Sequence, residues 1–128
     1  MKRFLGAFML FAMALFVFGA LAFAETHKHS AAAGAQTVSG EIVDMGCYFG
    51  HGASGASHKE CAEQCIANGG PMGLLTSKGT LYVLTMNHDN MDAFNKAKKF
   101  AGDKVKVTGP VSMKNGTRAL EVNGVAAM

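Results

Sequence analysis

The most strongly apolar stretch of the chain lies at its beginning. Residues 4–24 contain no charged residue and six of the nine Phe, and Lys2 and Arg3 precede them. Residues 22–24, Ala-Phe-Ala, end the stretch, so basic, apolar and small-residue segments follow in the order of a secretory signal peptide. The stretch is also long enough to cross a bilayer, which leaves an uncleaved anchor as the alternative. We expect cleavage after Ala24, no stable membrane anchor afterwards, and export to the periplasm or the extracellular space of a bacterium.

Beyond a polar segment at 25–36, which predicts a flexible tether, apolar residues recur at strand spacing in five places. β-rich runs bounded by Gly, Pro, Asn or Asp are typical of strands. Lys78-Gly79 forms a tight turn between the second and third runs, and Asn115-Gly116 between the last two is the strongest short hairpin signal. The predicted strands are 37–45, 72–77, 80–86, 104–113 and 117–125.

Helical spacing and end signals predict two short helices. The first covers 58–68, because Ser57 and Glu60 have the spacing of a capping box and a Gly-Gly-Pro run follows the helix. The second begins after Asp89 and ends at Gly102, with apolar residues at helical spacing between them.

The predicted element order is strand, helix, strand, strand, helix, strand, strand, which is a mainly β fold with two short helices. Without the first helix, it is the element order of a five-stranded OB-fold barrel. The Gly-, Ser- and Ala-rich segment 46–57 predicts a loop. That loop and the first helix then lie in the connection between strands one and two, which OB-folds use for ligands.

Three motifs resemble those of small secreted OB-fold proteins of bacteria. They are V-x-G-E-I-V-D at 38–44, K-V-K-V-T-G at 104–109 and E-V-N-G-V at 121–125. The resemblance covers about residues 37–125 and implies a single OB-like domain over 37–128, with a five-stranded OB-like barrel. It implies no activity, because the cysteine-bearing connection departs from plain OB modules and their function does not carry over.

Length and charge narrow the function classes. The chain has 128 residues, enough for one domain, and its formal charge of +3 falls to +1 once Lys2 and Arg3 leave with the signal peptide. A domain so close to neutral is not an electrostatically driven nucleic-acid binder, which needs a basic stripe. Because a small domain has modest stability, a crosslink or a metal ion would help it.

The chemistry-bearing residues are three cysteines with two histidines between them: Cys47, His51, His58, Cys61 and Cys65. In the first predicted helix, His58, Cys61 and Cys65 follow at intervals of three and four residues, so they share one face. Thiolate and imidazole are ligands for copper and zinc. We predict a non-enzymatic metal site with the three cysteines as ligands, His58 as the fourth ligand and His51 in reserve.

A disulfide is the alternative use of these cysteines. A bond from Cys47 to Cys61 or Cys65 would close a loop of about 15–19 residues and contribute about 3 kcal/mol in the chain-entropy model. Disulfides persist in exported proteins. The chain would then be a structural or interaction module for an exported protein partner. The odd cysteine would be a buried core residue or a redox-active thiol, and the latter gives a third alternative function.

The sequence lacks the complete motifs that bind nucleotides or attach haem. Residues 50–55 match G-x-G-x-x-G, but a predicted hairpin follows and no acidic residue stands near position 75, so we expect no nucleotide. The sequence contains no C-x-x-C-H, so we expect no covalently attached haem.

The new N-terminus offers a separate candidate site. Cleavage after Ala24 would leave Glu25, Thr26 and His27 first, and their amine, backbone amides and third-position imidazole could wrap a square-planar Cu(II) ion. The alternative is a short polar leader in which His stands third by chance. The prediction depends on the cleavage point, since slippage by one residue moves the imidazole out of register.

Overall fold

The computed structural model describes residues 34–128. The predicted signal peptide, most of the predicted tether, and the candidate copper(II) residues Glu25, Thr26 and His27 lie outside the described residues. Within residues 34–128, no helix is long and apolar enough to cross a membrane.

Residues 34–128 contain seven strands, three α-helices and one 3₁₀ turn. In chain order they are β1 (Gln36–Asp44), α1 (Met45–His51), the 3₁₀ turn (Ala56–His58), α2 (Lys59–Ala67), β2 (Met72–Leu75), β3 (Leu81–Met86), α3 (Met91–Lys98), β4 (Lys104–Gly109), β5 (Val111–Lys114), β6 (Thr117–Val122) and β7 (Gly124–Ala127).

The strands form one mixed sheet in the order β5-β6-β3-β2-β1-β4-β7. The long strand β1 has two partners: residues 36–41 pair with β4, and residues 41–44 pair with β2, both antiparallel. Of the pairs between described strands, β3 with β6 is the parallel one. Because β1 is held on both sides, its end is a fixed point from which the chain enters α1 directly.

The prediction of a mainly β chain is confirmed, but the predicted five strands and two helices are wrong. Pro110, which has no N–H to donate to a ladder, separates β4 from β5 within the predicted strand 104–113. The predicted strand 117–125 likewise divides at Asn123 into β6 and β7. The halves have different partners, since β5 pairs with β6 while β4 pairs with β1 and β7. The result is an open seven-stranded sheet rather than a closed five-stranded barrel.

The predicted hairpin turn at Asn115-Gly116 is confirmed. Both residues have positive φ, 50° for Asn115 and 81° for Gly116, and they place Lys114 opposite Thr117. This is the left-handed backbone that Asn and Gly adopt most readily, which is why the pair is so strong a signal.

The helix α1 lies in a segment predicted to be a loop, so that prediction is wrong. The Asp44 carboxylate accepts a hydrogen bond from the Cys47 N–H at 2.7 Å, the side-chain cap that starts a helix. Gly52, at φ 71°, ends the helix in the left-handed conformation. Gly46 and Gly50 lie within this helix, and because glycine is a poor helix former, the sequence pattern did not predict it.

The helices α2 and α3 lie close to their predicted positions, but their caps differ. The helix α2 matches the predicted range 58–68 to within one residue at each end. It has no side-chain cap: the Ser57 hydroxyl contacts the neighbouring histidine ring, so the predicted capping box with Glu60 is absent. The helix α3 begins after Asn90 rather than after Asp89.

A hydrophobic core lies between the sheet and the helices α2 and α3. Four strands contribute side chains that are fully buried, namely Ile42, Leu74, Val105, Val107, Leu120 and Val122. The helices add Ala62, Ile66 and Ala97. None of the three cysteines belongs to this cluster of the described domain. Apolar burial therefore supports the fold without using a thiol.

Gly109 marks a close approach between β4 and β6. A Cβ at this position would overlap the backbone carbonyl oxygen of Glu121. We expect Gly109→Ala to lower the free energy of unfolding by about 1–3 kcal/mol, because the strands must move apart. Urea denaturation measures the change. Gly124→Ala is the matched control, since its Cβ would meet its nearest atom at 4.0 Å; equal losses in both variants would contradict this packing.

Candidate metal centre

Cys47 reaches the site from the first turn of α1. Asp44, the last residue of β1, is 5% exposed, and its carboxylate accepts the Cys47 N–H. The Met45 N–H donates to the Pro71 carbonyl at 2.9 Å, which fixes the start of the helix against the residue preceding β2. The sheet thus sets the position of the Cys47 side chain through one buried carboxylate.

The helix α2 carries the other two thiols beside its buried stripe. Ala62 and Ile66 pack into the core, and Cys61 and Cys65 each precede one of them. Residues four apart lie on one side of a helix, so the two thiols lie together at the edge of the buried face. Cys61 is exposed and Cys65 is half-buried. The core therefore orients the helix, and the helix orients the thiols.

Each end of α2 packs closely against a glycine, where a larger residue would collide with its neighbours. Lys59 Nζ lies 2.6 Å from the Asp103 carboxylate, and this hydrogen bond raises the pKa of Lys59. Gly102, at φ 75°, lies against the same lysine, where a Cβ would come within 2.7 Å of the Lys59 Cα. At the other end, a Cβ on Gly70 would lie 2.6 Å from the Asp44 carboxylate. Larger residues at either glycine would push α2 away from its partner.

The three sulfur atoms converge. Cys47 Sγ is 3.7 Å from Cys61 Sγ and 4.0 Å from Cys65 Sγ, and all three lie within 4.8 Å of one another. All three are free thiols, and no disulfide joins them. Sulfurs that share one tetrahedral zinc ion at about 2.3 Å are about 3.8 Å apart. The cysteines that the sequence singles out could therefore hold a metal ion with little movement.

The two predicted histidines stand outside this sulfur cluster. A cavity of about 10 Å³ is lined by Cys47, Cys61 and His58, among others, so the His58 side chain borders the same space as two of the thiols. His51, the last residue of α1, is exposed and does not line that cavity. The two imidazole rings have their centroids 5.8 Å apart. Of the two, His58 is the better placed to become a fourth ligand.

Two of the metal-free thiols, those of Cys47 and Cys65, have a raised pKa. The pKa of Cys47 is raised from 9.0 to about 12, first because the thiol bonds to the Asp44 carboxylate and next because it contacts Cys61. The pKa of Cys65 is also raised: its bond with Cys47 lowers it, but burial and the contact with Cys61 outweigh that effect. A cation reverses this balance, so metal binding must release protons.

Asp44 and α1 are the parts of the site that sequence reasoning missed. The signal was present, because Asp44 stands three residues before Cys47, which is the spacing of a helix cap to its third residue. The Gly-, Ser- and Ala-rich composition of residues 46–57 favoured a loop instead. The site therefore joins two helices, whereas the prediction joined a helix to a loop.

No family model, no curated protein and no solved structure matches this chain. The geometry alone defines the class: a mixed β-sheet domain with a tri-cysteine cluster at its surface. A function must be argued from that cluster and its surroundings.

Asp44→Asn tests the effect of the carboxylate on Cys47. An amide oxygen can still accept the Cys47 N–H and so retain α1, but the negative charge is lost and the pKa of Cys47 falls toward 9.0. Because the thiolate is the nucleophile, we expect iodoacetamide to alkylate Cys47 of the metal-free variant faster than wild type at about pH 9. Mass-spectrometric peptide mapping measures the rate.

Glu41→Gln is the matched control for this experiment. Glu41 lines the same small cavity and accepts the Gly55 N–H at 2.6 Å, but it is not a cause of the raised Cys47 pKa. An unchanged rate in Asp44→Asn, or an equal rise in Glu41→Gln, would contradict the assignment.

Proposed function

We propose that this protein binds a soft metal ion, copper(I) or zinc, through the thiolates of Cys47, Cys61 and Cys65. The observation that carries the proposal is the convergence of three free sulfur atoms within 4.8 Å. Thiolates select copper(I) and zinc over hard cations. The two helices that carry the sulfurs are held by the sheet and the core, so the site exists before the ion arrives.

Copper(I) requires the fewest additions to this cluster. Three thiolates suffice for it, whereas a closed zinc site takes four ligands in a tetrahedron. Zinc would need an imidazole or a water molecule in addition, and His58 at the rim of the shared cavity is our candidate. We therefore put copper(I) first and a Cys₃His zinc site second.

The ion is a cargo rather than a support for the fold, and the protein is a binding protein rather than an enzyme. Two observations support this. The apolar core of the described domain contains no cysteine. Cys61 is exposed and the other two thiols are half-buried, so a ligand exchange partner can reach the ion without unfolding the domain. A metal whose role is structural is generally enclosed and needed for folding.

We place this function outside the cytoplasm, because residues 1–24 have the features of a cleaved signal peptide. An oxidising compartment converts neighbouring thiols to disulfides. Sulfurs only 3.7 Å apart would be at particular risk there, and a bound soft metal ion would protect them. The proposed location and the proposed cargo thus support each other.

Cys61→Ser tests the cluster directly. It removes one sulfur at the surface with little change of volume. We expect the copper(I) affinity to fall by more than about 100-fold, because loss of a group that only hydrogen-bonds to a metal ligand already costs about 10–100-fold. Competition with a chromophoric copper(I) chelator measures the affinity. Met113→Ala is the control, because Met113 also carries a sulfur atom but is 64% exposed and lies outside the site.

Native mass spectrometry of the exported wild-type protein distinguishes this function from the disulfide alternative. One bound copper, whose removal by acid restores the mass of the fully reduced chain, supports the proposal. The proposal would be contradicted if the exported protein were two hydrogens lighter than the reduced chain and also bound no metal after reduction and reconstitution. Unchanged copper(I) affinity in the Cys61→Ser protein would contradict it as well.

His58→Gln separates the two metals. If His58 completes a tetrahedral zinc site, its loss weakens zinc binding by about 10-fold or more and leaves copper(I) binding unchanged. His51→Gln is the matched control, because that imidazole does not line the cavity shared with the thiols. Titration of each metal against a competing chelator gives the comparison. A similar loss of zinc affinity in both variants would contradict the role of His58.

A further inference from the structure

The helix α1 has a second face that the cysteine cluster does not use. Phe49 follows Cys47 by two residues, which is about 200° around a helix axis, so the ring points away from the thiols. It borders an open groove of about 620 Å³ between α1, the β2–β3 turn and the β5–β6 turn. Tyr48, Leu81 and Val83 contribute apolar surface to the same groove.

The groove exposes an aromatic side chain that the fold does not bury. Phe49 is 70% exposed, the most exposed large hydrophobic residue in residues 34–128, and its ring meets the Tyr48 ring edge-on at 5.8 Å between centroids. Aromatic residues and arginine are the side chains enriched at protein interfaces and at their energetic centres. Sites for small molecules usually enclose most of the ligand, whereas this groove is open. A longer segment of chain would cover it better than a small molecule would.

The charge of the groove has one sign. Lys78 and Arg118 line it from the two turns, and no carboxylate lines it. Within residues 34–128, neither cation forms an ion pair; the ion pairs there belong to Lys59. Two unpaired cations beside exposed aromatic surface are complementary to an acidic segment that also carries apolar side chains.

We propose that this groove docks an acidic, apolar-rich peptide segment of a partner protein. Phe49 and Tyr48 would pack against the apolar side chains of the segment, and Lys78 and Arg118 would face its carboxylates. The role of the partner, to deliver or to receive the metal ion, rests on the proposed function. Docking itself does not, because the groove contains no cysteine.

The first experiment uses synthetic probes. A fluorescein-labelled nonapeptide in which Asp and Glu alternate with Leu and Phe is titrated with the metal-free, reduced protein, and fluorescence anisotropy reports binding. We expect binding of the acidic peptide that weakens at least about 5-fold between about 50 mM and 300 mM salt. We expect no binding of the same peptide with Lys in place of Asp and Glu. No binding of the acidic peptide up to about 1 mM would overturn the proposal.

Variants identify the surface. Phe49→Ala and Arg118→Glu should each lower the affinity for the acidic peptide at least about 10-fold. The matched controls are Met91→Ala and Lys106→Glu, which change an exposed apolar residue and an exposed cation outside the groove. Equal losses in the controls would overturn the assignment. Displacement of the peptide by phenylacetate at an equal concentration would show a site for small organic anions and would also overturn it.

The two proposals fail separately. Peptide binding should persist in a protein with all three cysteines changed to serine, and copper(I) affinity should persist in Phe49→Ala. Loss of copper(I) binding in wild type with retained peptide binding would end the metal function and leave the docking surface. The opposite result would remove the docking surface and leave the metal function.

Discussion

A single buried carboxylate connects the β-sheet to the thiol cluster. Asp44 ends the strand β1, which is paired on both sides, and its carboxylate accepts the backbone N–H of Cys47 at 2.7 Å. A buried charge is costly unless it is hydrogen-bonded, so this contact is what allows Asp44 to lie at 5% exposure. The same carboxylate requires glycine at position 70, where a side chain would collide with it. Without this contact, α1 would lose its cap and Cys47 its fixed position.

The electrostatics of the cluster follow from that arrangement. Three thiols and a carboxylate lie together, and hydrogen bonds of the thiol with Asp44 and with Cys61 raise the pKa of Cys47 to about 12. A protonated thiol is a poor nucleophile and a poor ligand, so an incoming metal ion must displace the proton. A cation that replaces the protons relieves the repulsion among the anions. The convergence of the three sulfur atoms and the nearby carboxylate are the features that support the proposed binding of a cation.

Much of this molecule could be predicted from local signals in the sequence, and the failures have physical causes. The Asn115-Gly116 turn and the helix from Lys59 to Ala67 depend on short-range conformational preferences, so the sequence predicts them well. The division of the last two predicted strands depends on which neighbour each half meets, and its local signs are Pro110 in one strand and Asn123-Gly124 in the other. The helix α1 has poor intrinsic propensity because of its glycines, and its capping contact, not its composition, decides its state. The cysteine cluster could be predicted because two of the thiols share a helix face. The helix α1, which carries Cys47, could not be predicted.

The helix α1 joins the two surfaces to which we assign functions. It has seven residues, too few to be stable as an isolated helix, and is held by the Asp44 cap, by the left-handed Gly52 and by its neighbours. One side of it presents Cys47 to the thiols of α2, and the other presents Phe49 to the groove. Because the two surfaces share this short helix, a ligand at one of them is in a position to be coupled to a ligand at the other. Such coupling is reciprocal. A partner that binds the groove more tightly when the metal is bound must therefore raise the affinity for the metal ion by the same factor. A partner that binds the metal-free form more tightly must instead promote release, so the sign of this coupling decides whether the docked protein removes the ion or secures it.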